Sequence, residues 1–294
     1  MKPATERLHA RAERLDAVPL ATVVQYLHQE DLRAVRAAGE QLRAVARLAQ
    51  AVQRALAAGG RLIYLGAGTS GRLGALDAAE CEPTFGARRG QVVALVAGGR
   101  RALAQAVEGA EDDARAGAKA LRALTPGPRD VVCGISASAR TPFVLGALAA
   151  ARAAGATTAL VTCDPASRTR VDLPVRLNTG PELVAGSTRL KAATATKLVL
   201  NAVSTAAFIG LGRVYRGRMI DARARNAKLR ARSQAMVAEL TGRTPAEAGR
   251  LLRKAGGSAR TALAMHFTGL PAAAAAQLAA TRGLRALQPR RQTR

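Results

Sequence analysis

The chain has 294 residues, with 45 lysines and arginines against 20 aspartates and glutamates, and its net charge is +25. At about 100–200 residues per domain, this length fits one large domain or two small ones. An apolar fraction of 49% is ordinary for a globular protein and excludes wholesale disorder.

The predicted elements begin with a helix over residues 20–58, which ends at Gly59-Gly60. Short apolar runs then alternate with helical stretches at 101–123 and 142–154. This alternation predicts an α/β fold, a parallel sheet with helices on both faces. Further helices are expected at 189–210, 218–240 and, as short segments, 244–282. The predicted strands are 62–65, 92–96, 131–135, 158–162 and 171–177.

The N-terminal 19 residues carry charges of both signs and no apolar core, unlike a signal peptide. We find no run approaching the roughly 18–20 apolar residues of a membrane span. A cytoplasmic protein without membrane contact is therefore expected. Its three cysteines, Cys81, Cys133 and Cys163, form no CxxC pair, which argues against a disulfide framework and a zinc site.

The positive charge is concentrated in residues 182–294, which carry 21 basic and four acidic side chains. Such a segment attracts nucleic acid, anionic lipid or phosphorylated small molecules. However, the chain has no Trp, four Phe and three Tyr, few platforms for stacking bases. The arginines are also scattered among alanines, which is typical of solvated helix faces. Nucleic-acid binding is therefore not favoured.

Two loops rich in small hydroxyl residues follow predicted strands, at 66–72 and 134–141. Ligands of open parallel sheets bind beyond the carboxyl ends of the strands. Glycines allow close approach, a helix N-terminus favours an anion, and hydroxyl groups donate to phosphate oxygens. Neither a dinucleotide fingerprint nor a Walker loop is present. Helix caps with turn glycines explain one such loop easily. Two loops favour a phosphorylated small molecule.

Two groups of acids accompany these loops: Glu80 and Glu82 lie beyond the first, and Glu108, Glu111, Asp112 and Asp113 follow the second strand. Two carboxylates beside a phosphate pocket suit general acid–base catalysis. The alternative is an acidic turn that pairs with surplus arginines, and composition alone favours it.

Four segments, 61–87, 107–113, 134–144 and 185–201, resemble the N-acetylmuramic acid 6-phosphate etherase family of the sugar isomerase (SIS) superfamily. The resemblance runs from about Thr5 to the C-terminus. It implies a homodimeric SIS-fold enzyme without metal or nucleotide cofactor. It also implies domains at 1–49 (a helical arm), 50–222 (the phosphosugar-binding SIS domain) and 223–294 (a small all-α C-terminal region).

The resemblance further implies an activity. Such enzymes cleave the lactyl ether of N-acetylmuramic acid 6-phosphate to N-acetylglucosamine 6-phosphate and D-lactate during cell-wall sugar recycling. The family's proton donor falls on Glu80 and its base on Glu111. Its phosphate and sugar contacts fall on Thr69, Ser70, Ser136, Ser138, Arg140 and Thr141, and a further loop on Ser187, Thr188 and Lys191.

The chain departs from the family pattern at several positions. Glu82 replaces a proline, and Ala139 replaces a glycine. An alanine would strain the loop if this position has a positive φ. His9 replaces an asparagine in a segment that we expect to reach the site of a partner subunit. Unexpected charges also occur at Arg216, Arg218, Arg223 and Arg225.

Two other function classes stay open. One is a non-catalytic phosphosugar-sensing regulator on the same scaffold, which needs the hydroxyl loops but not the two glutamates. The other is a nucleic-acid-binding protein that relies on the +25 charge.

Overall fold

The computed structural model describes residues 4–222 and 226–288, so the unexpected charges at Arg223 and Arg225 and the residues beyond 288 lie outside the described part. The chain divides into two compact units. The first comprises 4–80 with 89–207, and the second comprises 81–88 with 208–288, apart from 223–225. The domain boundaries expected from the sequence stay predictions.

The first unit holds a five-stranded parallel sheet in the order β2-β1-β3-β4-β5, which confirms the predicted α/β class. Most of the strand residues are apolar, because a parallel strand is covered on both faces. The strands are β1 (Leu62–Gly66), β2 (Val92–Val96), β3 (Val131–Ile135), β4 (Thr157–Thr162) and β5 (Leu173–Arg176).

Helices cover both faces of this sheet. Ile63 and Leu65 pack in a core cluster with the helices α4 (Ala114–Arg122) and α5 (Pro142–Ala153). Tyr64 alternates with them and meets Gly74 on α3 (Gly68–Phe85) on the opposite face. The unit's other helices are α1 (Leu20–Gly39), α2 (Leu42–Ala57) and α6 (Lys191–Gly210), of which α3 and α6 continue into the second unit.

The second unit is mostly helical. A small antiparallel hairpin, β6 (Val214–Tyr215) and β7 (Arg218–Met219), precedes four helices. Among the described residues, Asp221 forms ion pairs with Arg213 and Arg260. The helices are α7 (Ala227–Thr241), α8 (Pro245–Lys254), α9 (Ala259–Thr268) and α10 (Ala272–Leu287).

Three predicted helices are wrong in extent. Residues 20–58 form two helices, Leu20–Gly39 and Leu42–Ala57, which residues 40 and 41 separate. The stretch 101–123 contains two 3-10 turns, Gly99–Leu103 and Ala110–Asp112, and the α-helix begins only at Ala114. Asp113 caps that helix by accepting a hydrogen bond from the Ala116 backbone N–H. The stretch 218–240 opens with a β-hairpin strand instead of a helix.

One helix differs from the expectation about membrane spans. By length and composition alone, α6 is apolar enough to cross a membrane. Half of the most apolar 18-residue stretch of this helix is buried inside the protein. The buried core helix of a soluble protein has the same length and composition, so these two properties are weak evidence for a membrane span.

Candidate functional site

The two hydroxyl loops follow neighbouring strands at the switch point of the sheet. β1 lies between β2 and β3, so the chain leaves it in one direction and returns on its other side. Gly66 and Ile135, the last residues of β1 and β3, are partners in the register. Ligands bind at such switch points, beyond the carboxyl ends of the strands.

The first loop turns sharply from β1 into α3. A Cβ on Gly66 would lie 2.6 Å from the backbone N of Gly71, and a Cβ on Gly71 would lie 2.7 Å from Val96. Both positions therefore require glycine. The turn places Thr69 and Ser70 in the first turn of α3, where backbone N–H groups and hydroxyls favour an anion.

The second loop is held by its own hydroxyl groups. Ser136 Oγ and Thr141 Oγ1 are 2.8 Å apart, and the Arg140 backbone N–H donates to Ser138 Oγ over 3.3 Å. Ala139 has a φ of +57°, so the strain expected of an alanine at a left-handed position applies to this loop.

Both loops open onto a cavity of about 360 Å³. Acidic, hydroxyl and basic side chains from distant parts of the sequence meet around it. The predicted site residues that line it are Thr69, Ser70, Glu111, Ser138, Arg140, Thr141 and Thr188. Glu6 and Asp112 also line it, and neither was among the predicted site residues.

Four predicted site residues are absent from the described lining of this cavity. Ser136 is buried behind Thr141, and Ser187 is half-buried beside Thr188. Glu80 lies on an exposed part of α3. Lys191 is only 1% exposed, so this chain's own fold keeps its ammonium group from solvent.

Lys191 belongs to a buried ion-pair network. Its Nζ donates to Glu30 Oε2 and to the backbone oxygen of Pro181. Glu30 also meets Arg33 at 3.0 Å and His9 at 3.2 Å. Burial favours a higher pKa for the Glu30 carboxyl, but the hydrogen bond and charge of Lys191 outweigh it and leave this pKa below its usual value.

A second buried carboxyl group fixes α3. Asp77 accepts hydrogen bonds from the Tyr64 hydroxyl and the Ser204 hydroxyl, each at 2.9 Å. Burial raises the pKa of this carboxyl in spite of the two hydrogen bonds. Asp77 lies one helical turn before Glu80, so it orients the segment that carries the predicted proton donor. In the sequence, the sign of Asp77 as a supporting residue is its position three residues before Glu80.

No group of three His, Cys, Asp or Glu side chains within 4–222 and 226–288 is arranged to hold a metal ion. Burial raises the pKa of the Cys133 thiol to about 12 and that of the Cys163 thiol to about 11. Both thiols are therefore protonated and poor nucleophiles at neutral pH.

A five-stranded parallel sheet with helices on both faces and two hydroxyl loops at its switch point is the architecture of a SIS domain. Residues 44–152 match the family model described as "Glucokinase regulatory protein N-terminal SIS domain". Two solved phosphoheptose isomerases are distant structural neighbours. The one from Neisseria gonorrhoeae has a TM-score of 0.46 and 21% identity, covering 64% of this chain and 98% of its own. The one from Francisella tularensis has a TM-score of 0.45 and 14% identity, covering 64% of this chain and 97% of its own.

Curated relatives resolve the family within this class. The chain is 50% identical to an N-acetylmuramic acid 6-phosphate etherase from Cutibacterium acnes over 283 residues, 95% of this chain and 93% of the relative. It is 48% identical to one from Cronobacter sakazakii, with 94% of each chain covered. The chain belongs to the N-acetylmuramic acid 6-phosphate etherase family.

Proposed function

We propose that this protein is a lyase that cleaves the D-lactyl ether of N-acetylmuramic acid 6-phosphate. The products are N-acetylglucosamine 6-phosphate and D-lactate, and the reaction belongs to cell-wall sugar recycling and amino sugar catabolism. The family assignment supports the reaction. The observation that carries it is a single cavity in which Glu111 shares the lining with Ser138, Thr141 and Thr69.

The hydroxyl loops bind the phosphate in this proposal. The first turns of α3 and α5 begin at these loops, and Thr69, Ser70, Ser138 and Thr141 supply hydroxyl donors. Arg140 lines the same cavity and adds a positive charge. The phosphate takes no part in the chemistry, but it anchors the sugar so that its carbons meet the acids.

The cleavage is an elimination followed by an addition. Glu111 takes the proton from carbon 2 of the open-chain sugar, and the bond between carbon 3 and the ether oxygen breaks. Glu80 protonates the departing lactate oxygen. Water then adds across the new double bond, with its hydroxyl on carbon 3 and a proton on carbon 2. The proposed elimination requires one carboxyl group to start ionised and the other to start protonated.

We also propose a homodimer, which the resemblance to the etherase family implies. Leu76 lies one turn before Glu80 on α3 and is 46% exposed. Leu76 therefore offers a position at which an added charge would disturb a contact between two copies on this face of the helix. Light scattering tests this inference: the wild type should be a dimer, and Leu76→Glu should increase the fraction of monomer.

No cofactor is needed for this reaction, because proton transfers and water are sufficient. The substrate is a phosphorylated amino sugar, and the proposed compartment is the cytoplasm. Membrane and nucleic acid have no part in the proposal.

The test is D-lactate release from N-acetylmuramic acid 6-phosphate by the wild type, Glu80→Gln and Glu111→Gln. Both variants should lose at least a hundredfold in rate, within the range for general acid–base groups of about 10²–10⁴-fold. Glu82→Gln and Glu108→Gln are the matched controls, because each removes a carboxylate two or three residues from Glu80 or Glu111 that has no role in the proposed reaction. Their rates should stay within about threefold of the wild type.

The same experiment separates the etherase from a phosphosugar-sensing regulator. A regulator would release no lactate, yet N-acetylmuramic acid 6-phosphate would raise its melting temperature through the same cavity. Lactate release that is insensitive to Glu111→Gln would contradict the proposed base.

A further inference from the structure

The N-terminal segment contributes a carboxylate to the cavity. Glu6 belongs to a 3-10 turn, Ala4–Glu6, and lines the cavity together with Gly186 and Thr188. A Cβ on Gly186, which has a φ of +74°, would lie 3.3 Å from Glu6 Oε2. The carboxylate of Glu6 therefore lies directly against the loop that carries Thr188.

Backbone contacts hold this turn in place. The Gly186 N–H donates to the carbonyl oxygen of Thr5 over 3.3 Å. Thr5 is completely buried, which fixes the chain immediately before Glu6. Residues 180 positions apart in the sequence thus form one wall of the cavity.

A buried polar network anchors the same segment three residues further on. His9 Nδ1 accepts a hydrogen bond from the Arg11 backbone N–H, so the proton on Nε2 faces Glu30 Oε1 at 3.2 Å. The other oxygen of Glu30 meets Lys191, the first residue of α6. The network therefore ties the N-terminal segment to the start of the helix that follows Thr188.

We propose that Glu6 is a sugar-binding residue, which accepts a hydrogen bond from a hydroxyl or amide N–H group of the bound amino sugar phosphate. Lys191, Glu30 and His9 are positioning residues that hold the turn. The inference rests on the proposed function for the identity of the sugar. It assigns Lys191 to the support of the site, since its ammonium group is buried against Glu30.

The chemistry of the group decides which part of the ligand it meets. An ionised carboxylate only accepts hydrogen bonds and repels anions. Glu6 therefore disfavours both the phosphate and the lactyl carboxylate as neighbours, whereas the hydroxyl and acetamido N–H groups of the sugar are donors. The hydroxyl loops and Arg140 are the groups suited to the phosphate.

Isothermal titration calorimetry with two ligands tests this assignment on the full chain. The ligands are N-acetylglucosamine 6-phosphate and inorganic phosphate. The variants are Glu6→Gln and Glu6→Ala, and Glu13→Gln is the control, because Glu13 is an exposed glutamate of the same N-terminal segment that does not line the described cavity. Glu6→Gln and Glu6→Ala should bind the sugar phosphate at least tenfold more weakly. They should bind inorganic phosphate as well as the wild type does, or better.

Two results would overturn the assignment. An unchanged affinity for the sugar phosphate would show that Glu6 makes no contact with the sugar. An equal loss for both ligands would show that Glu6 only maintains the loop. The wild type's lactate release is measured in parallel. If it fails while the sugar phosphate still binds in a Glu6-dependent way, the etherase proposal falls and the sugar contact stands.

The positioning residues have their own readout. His9→Ala should weaken the binding of the sugar phosphate and leave the binding of inorganic phosphate unchanged, as Glu6→Ala does. The double variant should bind the sugar phosphate no more weakly than Glu6→Ala alone. Additive losses in the double variant would show that His9 does not act through Glu6.

Discussion

Ser136 Oγ lies 2.8 Å from Thr141 Oγ1, yet only Thr141 lines the cavity. The buried serine hydroxyl therefore orients the threonine hydroxyl. The sequence motif predicts both residues as phosphate contacts, whereas in the structure they differ in their access to the cavity.

The two residues should therefore differ in their effect on binding. A hydrogen bond to a charged group contributes about 1.5–3 kcal/mol, so Thr141→Val should weaken inorganic phosphate binding by about tenfold or more. Ser136→Ala removes only a neutral hydrogen bond of about 0.5–1.5 kcal/mol and should weaken binding by less. Calorimetric titration with phosphate measures both. An equal or larger loss in Ser136→Ala would mean that Ser136 contacts the phosphate itself.

Ala139 gives a prediction about stability. A left-handed residue other than glycine costs about 1–2 kcal/mol, and the buried methyl group returns about 0.8 kcal/mol. Glycine also costs about 0.5–1 kcal/mol of backbone entropy, so Ala139→Gly should change the free energy of unfolding by less than about 1 kcal/mol in either direction. Ala137→Gly is the control in the same loop, and it should lower that free energy by about 0.5–1 kcal/mol. Urea denaturation measures both. Equal losses in the two variants would contradict the strain.

The ion pair of Glu30 and Lys191 predicts a dependence of stability on pH. The folded-state pKa of Glu30 lies below its usual value of 4.5, so its contribution is complete above that value and is lost as the pH falls through the folded-state pKa. Urea denaturation between about pH 3 and pH 7 should show a smaller loss on acidification for Glu30→Gln than for the wild type. Parallel pH curves for the two proteins would contradict this prediction.

Removing one partner of the same pair should be costly. Lys191→Met leaves a buried carboxylate without its main partner and should lower the free energy of unfolding by about 3–5 kcal/mol. The double variant Lys191→Met/Glu30→Leu removes both charges and should be more stable than Lys191→Met alone. A double variant less stable than Lys191→Met would show that the contacts of Glu30 with Arg33 and His9 outweigh the cost of its burial.

The strands were predictable because their signal is local and physical. Residues 92–96 and 131–135 are uninterrupted apolar runs, and the structure confirms both as parallel strands. The hydroxyl loops were predictable for a related reason, since each follows its strand directly. The sheet order then brings the two loops together without any further information.

The errors have local causes as well. Gly109 has a φ of +71° and Asp113 caps the next helix, so the composition of 101–123 overstates the helix. Gly217, with a φ of +74°, lies between the two strands of a hairpin that replaces the start of the helix expected at 218–240. Hydrophobic spacing alone does not detect either interruption.

The tertiary contacts of the site were beyond prediction. Glu6 meets Gly186 and Lys191 meets Glu30 across more than 160 residues of sequence, and a contact at that separation leaves no periodic pattern. The resemblance assigned Lys191 to a loop near the site. It carried no information that distinguishes a buried supporting residue from one that touches the ligand.

Asp77 gives a prediction of opposite sign to that for Glu30. Burial raises the pKa of its carboxyl, so the folded state holds the proton above the usual value of 3.8 while the unfolded chain has released it. The stability contributed by this group is therefore complete below that value and falls as the pH rises through the folded-state pKa. Asp77→Asn has no such titration. Urea denaturation should therefore show that the free energy of unfolding of Asp77→Asn rises relative to that of the wild type from about pH 3 to pH 7.

Asp172→Asn is the control for Asp77→Asn. The pKa of Asp172 is lowered, mainly by the Thr158 backbone N–H, so the stability of Asp172→Asn relative to the wild type should fall over the same pH range. A pH-independent difference between Asp77→Asn and the wild type would mean that the carboxyl group is not protonated preferentially in the folded protein.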